Sequence, residues 1–210
     1  MEDTETWAGN LKLVGTALCL DFANTTEGRT SDGFREYLAS YADLVAWSRH
    51  ANILTEHTAQ HLLHEAARRP AEAAMVLDRA IALREAIYRV FFAVAQEHPP
   101  ALADLDILNA ALADALSHLR VVPLANGFGW TWADDADALD QMLWPVARSA
   151  ADLLTEGELR RVRECAGDTC GWLFVDTSKN RSRRWCDMQD CGNVAKVRRY
   201  RKRQQTPSSV

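Results

Sequence analysis

The chain has 210 residues, 48% of them apolar and 25% charged, enough to bury one good core plus a small satellite module. Its 24 basic and 29 acidic residues leave a net charge of −5. Residues 179–203, however, hold ten cations (Lys179, Arg181, Arg183, Arg184, Lys196, Arg198, Arg199, Arg201, Lys202, Arg203) against only Asp187 and Asp190, a local +8 with −13 elsewhere. No run reaches the roughly 18 apolar residues of a membrane span, and the acidic start MEDTETWAGN lacks the apolar stretch of a signal peptide, so a soluble, cytosolic chain without a membrane partner is expected.

In chain order, LKLVGTALCLDFANT mixes alternation with an apolar run and predicts one or two brief strands ending near Asp21, with Cys19 as a small buried hydrophobe. Gly28, Ser31, Asp32 and Gly33 mark a loop. Across residues 34–52, Tyr37, Leu38, Tyr41, Leu44, Val45 and Trp47 recur at helical spacing and predict an amphipathic helix. Thr55 is placed to cap the next helix, which Pro70 interrupts after Arg68 and Arg69. Residues 71–97 carry Leu77, Ile81, Leu83, Ile87, Tyr88, Val90, Phe91 and Val94 around almost the whole circumference, as in the buried centre of a bundle. Pro99 and Pro100 stop that helix, and LADLDILNAALADALSHL starts a shorter one. Residues 119–123 and 128–132 flank Ala125-Asn126-Gly127 and predict a β-hairpin in which Asn-Gly supplies positive φ angles. A last bundle helix is expected over 134–154, kinked or broken at Pro145, with a domain boundary near Gly157. The division is then 1–156 for a helical domain, 157–204 for a small module, and 205–210 for a disordered tail.

The module holds four of the five cysteines: Cys165 and Cys170 bracket AGDT, fifteen residues follow, and Cys186 and Cys191 bracket DMQD. Two thiolate pairs joined by a loop long enough to return the chain suit a tetrahedral four-cysteine zinc site. A disulfide pair, an iron–sulfur cluster and four unrelated cysteines are the alternatives. Zinc is favoured because so small a module cannot hold itself together by burial, and metal binding supplies folding free energy. Four thiolates leave no open coordination position, so such a site is structural and its use is binding. Trp172, Leu173, Phe174 and Val175 form a β-rich arm, and Trp185 is placed to cover the site. After Cys191 the chain reads as a basic helix on which Val194, Val197 and Tyr200 recur as a narrow docking face. Arg181, Arg183, Arg184, Lys196, Arg198, Arg199, Lys202 and Arg203 are the candidate nucleic-acid contacts, arginine suiting bidentate recognition of phosphates and guanine edges. A solvated basic tail is the plain alternative.

The stretch CAGDTCGWLFVDTSKNRSRRWCDMQDCGNVAKVRRYR resembles the CGNR-type zinc finger of bacterial proteins. The matching segments are residues 170–176, 184–186 and 191–193, with Val194 where the pattern carries arginine. LCLDFANT at 18–25 and the helical middle resemble the ABATE domain that precedes this finger. The resemblance implies a stress-induced transcription regulator. The whole is expected to be mainly α, a helical domain with short strands and a hairpin followed by a treble-clef-like four-cysteine zinc module ending in a basic helix.

A regulator needs an input, and the acidic domain is its candidate sensor. Asp21, Asn24 and Thr25 follow an apolar run and are placed to line a pocket for a small-molecule effector, closed by Trp130 or Trp132; hydrogen bonding of a turn or cap is the plainer reading. His57, His61 and His64 share one helical face, which neighbouring Gln60 and Glu65 mark as solvated rather than as a second zinc site. No phosphate loop, dinucleotide fingerprint or nucleophile elbow is present. DNA is the expected partner; an RNA-binding module and an enzyme with a site near Asp21 and Asn24 are the alternatives. A homodimer suits palindromic operators, although no dimer face is evident.

Overall fold

The computed structural model describes residues 6–29, 33–133 and 135–205, with side chains as far as Arg201. It is mainly helical. After a 3-10 turn at Ala8–Asn10 come α1 (Leu18–Ala23), β1 (Thr26–Glu27), β2 (Arg35–Glu36), α2 (Tyr41–His50), α3 (Glu56–Arg68), α4 (Pro70–Ala95) and α5 (Leu102–Ser117). The hairpin β3 (Leu119–Leu124) and β4 (Gly127–Trp132), then α6 (Leu143–Thr155), complete the helical body. The finger consists of β5 (Val162–Glu164), β6 (Leu173–Val175), a π-helical turn Met188–Gly192 and α7 (Asn193–Gln205). The strands of the described residues form three antiparallel pairs, β1–β2 and β3–β4 in the helical body and β5–β6 in the finger. Ser31, Asp32 and residues 206–210 of the expected tail lie outside the described residues, as do the side chains of Lys202 and Arg203.

The strand expected to end near Asp21 is instead helix α1. Cys19, Leu20, Phe22 and Ala23 are all buried, and a short run buried on every side looks alike in a helix and in an inner strand. Gly15 permits the entry: a Cβ there would stand 2.7 Å from the Asp21 amide. The amphipathic helix expected over 34–52 begins only at Tyr41. Arg35 and Glu36 pair with Glu27 and Thr26 in a strand ladder, and the Ser40 hydroxyl accepts the Asp43 amide as an N-cap. Thr55 caps α3 in the same way, accepting from the Thr58 amide at 3.1 Å. Thr55→Ala should therefore lower stability by about 1 kcal/mol, read as a shifted urea midpoint at unchanged slope.

Pro70 opens α4 rather than ending α3, because a first-turn residue needs no amide hydrogen. The same logic corrects the last bundle helix: α6 starts at Leu143, and Pro145 is its third residue rather than a kink, while residue 134 lies outside the described residues. α4 is the central element, burying Val76, Ala80, Leu83, Ile87, Val90 and Phe91. Its one buried cation, Arg84, makes bidentate bonds of 2.6 and 2.7 Å to Glu36, fastening β2 to the bundle. The β3–β4 hairpin is paired from Leu119↔Trp132 to Leu124↔Gly127. Only Gly127 takes a positive φ, 135°, so Asn126 does not share the mirror-image turn expected of Asn-Gly.

The core does not stop at Gly157. Val162 and Leu173 belong to the buried cluster of the helical body, whereas Phe174 packs with Cys165 and Cys186 in a second cluster. Successive side chains of a strand point to opposite faces, so β6 gives Leu173 and Val175 to the body and Phe174 to the finger.

Candidate metal centre and its mount

The first cysteine pair sits at the tip of the β5–β6 hairpin, where the Cys165 amide donates to the Trp172 carbonyl at 2.8 Å. The second pair flanks the π-helical turn, closed by the Gly192 amide on the Asp187 carbonyl at 3.0 Å, just before α7. All four sulfurs lie within 4.8 Å of one another. Cys170 and Cys186 are 3.6 Å apart and Cys186 and Cys191 3.7 Å. Tetrahedral zinc with bonds of roughly 2.3 Å places its sulfurs about 3.8 Å apart, whereas a disulfide needs about 2.05 Å. The Cys186 amide points at the Cys165 sulfur at 3.3 Å, and a Cβ on Gly167 would stand 3.3 Å from the Cys191 sulfur, so backbone is drawn in close around the cluster.

Charge points the same way. Hydrogen bonds from Cys170 and Cys186 hold the Cys165 thiol well below its ordinary value, while hydrogen bonding to Cys165 pushes Cys170 and Cys186 up and burial pushes Cys191 up. Four sulfurs this close ionise together only around a cation, and a borderline-soft dication with four thiolates fits the donor set. Zn²⁺ held by Cys165, Cys170, Cys186 and Cys191 would have no open position and would act as a fold-maker.

The finger is clamped to the helical body by buried polar bonds. The Asn24 side chain donates to the Leu173 carbonyl at 2.8 Å and accepts the Leu173 amide at 2.9 Å, as a strand neighbour would. The Trp172 indole donates to the Thr26 carbonyl at 2.6 Å, and the Val175 amide to the Gly15 carbonyl at 3.0 Å. Lys12 bridges Asp187 at 2.8 Å and Asp190 at 2.5 Å, tying the N-terminal segment to the second knuckle. Lys12 had no signal in the sequence, since its partners lie some 175 residues away. Asp176, fully buried, accepts the Ser178 and Arg183 amides and organises the long loop.

The pocket residues suggested by sequence therefore stand elsewhere. Asn24 and Thr25 are buried and internally bonded, Thr25 to the Phe22 carbonyl. Trp132 borders a separate hollow with Ile53 and Trp144. The Asp21 carboxylate accepts the Gly15 amide at 2.7 Å, and burial raises it to about 6 despite that bond and the charge of His50. A carboxyl raised in the folded state binds its proton more tightly there, so its contribution to stability is fully present below the unfolded value near 4 and falls as pH rises to 6. Asp21→Asn should remove that decline, melting above wild type at pH 7 and converging with it near pH 4, as thermal denaturation across this range would show. On α3, His61 meets Asp137 at 2.8 Å. Glu65 is buried rather than marking a solvated face, and is held by Arg68 at 2.8 Å and Arg69 at 3.6 Å.

The candidate nucleic-acid residues divide. Arg183 is internal, donating to the Val14, Trp185 and Cys186 carbonyls over the Phe174 ring. Arg181 pairs with Glu158 and Arg198 with Asp168. Arg184 lies over the Trp185 ring, and Lys196 and Arg199 stand on α7, all three exposed.

A four-cysteine centre built from a hairpin tip and a helix start, on a mainly helical body, defines a zinc-finger protein of two linked parts. Residues 161–204 match the model of the CGNR zinc finger, and residues 16–157 match that of the ABATE family, described as "Putative stress-induced transcription regulator". The latter match covers most of the chain, which belongs to the ABATE family. A search of curated proteins finds no match. Among the described residues no helix is long and apolar enough to cross a membrane.

Proposed function

We propose that this protein is a cytoplasmic, DNA-binding transcription regulator. The finger, residues 157–204, presents α7 to the duplex, and the helical part, residues 1–156, carries the input and any dimer contact. One observation supports this above others. Most arginines of the body are paired with carboxylates, as Arg29 with Glu85, Arg84 with Glu36 and Arg89 with Asp104. Arg184, Lys196, Arg199 and Arg201, by contrast, are exposed around the metal centre with no carboxylate partner among the described residues. The main packing partner of α7 is the π-helical turn beneath it, so the helix is fixed at its root by metal and free along its length to enter a groove.

Selection from a random DNA pool by the zinc-loaded protein tests the reading. Enrichment of a common sequence, lost on chelation, is expected. If those four cations each meet a phosphate, log affinity should fall against log salt with a slope of about −3 to −4. Preference for RNA at equal salt, or no salt-sensitive binding at all, would overturn it.

A further inference from the structure

We infer that the cleft between the helical body and the finger is a binding site for a small organic cation. A cavity of about 490 Å³ opens there, bounded by the N-terminal segment, the β1–β2 ladder, the knuckles and the first turn of α7. That is within the 300–1,000 Å³ typical of ligand sites and more than ten times a water's share of roughly 30 Å³, so the metal accounts for little of it.

Charge sets the ligand class. The lining carries Glu27, Asp168, Asp187 and Asp190 against Lys12 and Arg198. Lys12 is shared by Asp187 and Asp190, and Arg198 is taken by Asp168, which leaves two negative charges in excess. Arg35 is directed to the Thr6 carbonyl and the Tyr37 ring and is not among the lining residues. Cys170, Cys186 and Cys191 form part of one wall, and four thiolates around Zn²⁺ would add a further −2. The net charge of the lining therefore disfavours an anion.

The remaining surface supplies a seat for a cation's apolar body. The Trp172 ring is held by its indole bond to Thr26, and the Tyr37 ring by its hydroxyl donated to Glu27 at 2.7 Å. The Trp172 ring beside the Glu27 carboxylate suits an ammonium group through its attraction to the π face, while the Tyr37 ring, with Arg35 already 5.1 Å from its centre, serves as an apolar wall. Val194 and Leu11 complete the apolar lining. The occupant touches body and finger at once, so its binding would hold α7 in one orientation. That consequence rests on the regulator reading; the binding itself does not.

The test uses the full zinc-loaded chain without nucleic acid, so its outcome is independent of DNA binding. Benzylamine and benzyltrimethylammonium are titrated beside benzyl alcohol and benzoate by calorimetry and by the Trp172 indole N–H resonance. The cations should bind at least about tenfold more tightly than their neutral and anionic counterparts. Glu27→Gln, which keeps the acceptor for Tyr37, should cost about tenfold in cation affinity, and Val194→Arg should abolish binding, both at unchanged zinc content. Equal affinity for cations and counterparts, no binding by either cation, or undiminished cation binding in zinc-replete Val194→Arg would overturn the inference.

Discussion

Cys186→Ser is expected to strip the protein of its zinc and to unfold the finger from β5 through α7. Cys186 is the most connected of the four ligands, 3.6 Å from Cys170, 3.7 Å from Cys191, and with its own amide on Cys165. Within the finger little else holds the knuckles and α7 together, since its own buried cluster is Phe174 with Cys165 and Cys186. Structural zinc supplies apparent binding free energies of about 10–16 kcal/mol in finger peptides at neutral pH, far more than one buried phenylalanine offers. The loss reaches the body as well, because Val162 and Leu173 are withdrawn from its core. A colorimetric zinc assay should fall from one ion per chain to a small fraction, and Trp172 and Trp185 fluorescence should shift to the solvent-exposed range. Chelation of the wild type should reproduce both changes. Cys19→Ala serves as control: Cys19 is fully buried in α1, its thiol pushed up to about 12 mainly by burial, and its loss should leave zinc untouched. Stoichiometric zinc in Cys186→Ser at an unchanged melting temperature would rule out the four-cysteine centre.

The metal ligands are legible because coordination leaves a chemical trace in the sequence, namely two pairs of soft donors at short spacing in a module too small to fold by burial. The long bundle helix α4 is legible as an extended apolar stretch between prolines, and the β3–β4 hairpin as two β-rich runs about Asn-Gly. Where buried structure is short, the pattern fails. Six residues of α1 hold four buried side chains and carry no period that separates helix from strand. Pro145 was misread as a break because proline is equally at home in a first turn, and only the cap tells the two apart. The basic residues were legible as charge but not as individuals. Arg183 and Arg184 are neighbours in sequence, yet one is enclosed by three carbonyls and the other faces solvent, a difference made by the loop that Asp176 organises. Asn24 reads in sequence as a pocket or turn residue, whereas its partner lies 149 positions away and nothing local names it.

That partner makes Asn24→Ala the second large effect. The side chain completes the hydrogen bonding of Leu173, whose carbonyl and amide are both buried and, through this residue alone, paired to the body. Alanine leaves both groups without a partner where water does not reach, at about 1–3 kcal/mol each, so a loss of about 2–6 kcal/mol is expected in urea unfolding. Asn24→Asp should be at least as damaging, because a carboxylate still accepts the Leu173 amide but faces the carbonyl with no donor and carries a charge into a buried site. Neither substitution touches a sulfur, so zinc content should stay at one per chain while amide exchange of Leu173 and Val175 accelerates. This pairing of retained metal with a loosened β6 separates attachment from folding of the knuckle. If Asn24→Ala shifts stability by less than about 0.5 kcal/mol, the mount depends instead on Lys12 and the Trp172 indole, and Asn24 is only a local turn residue.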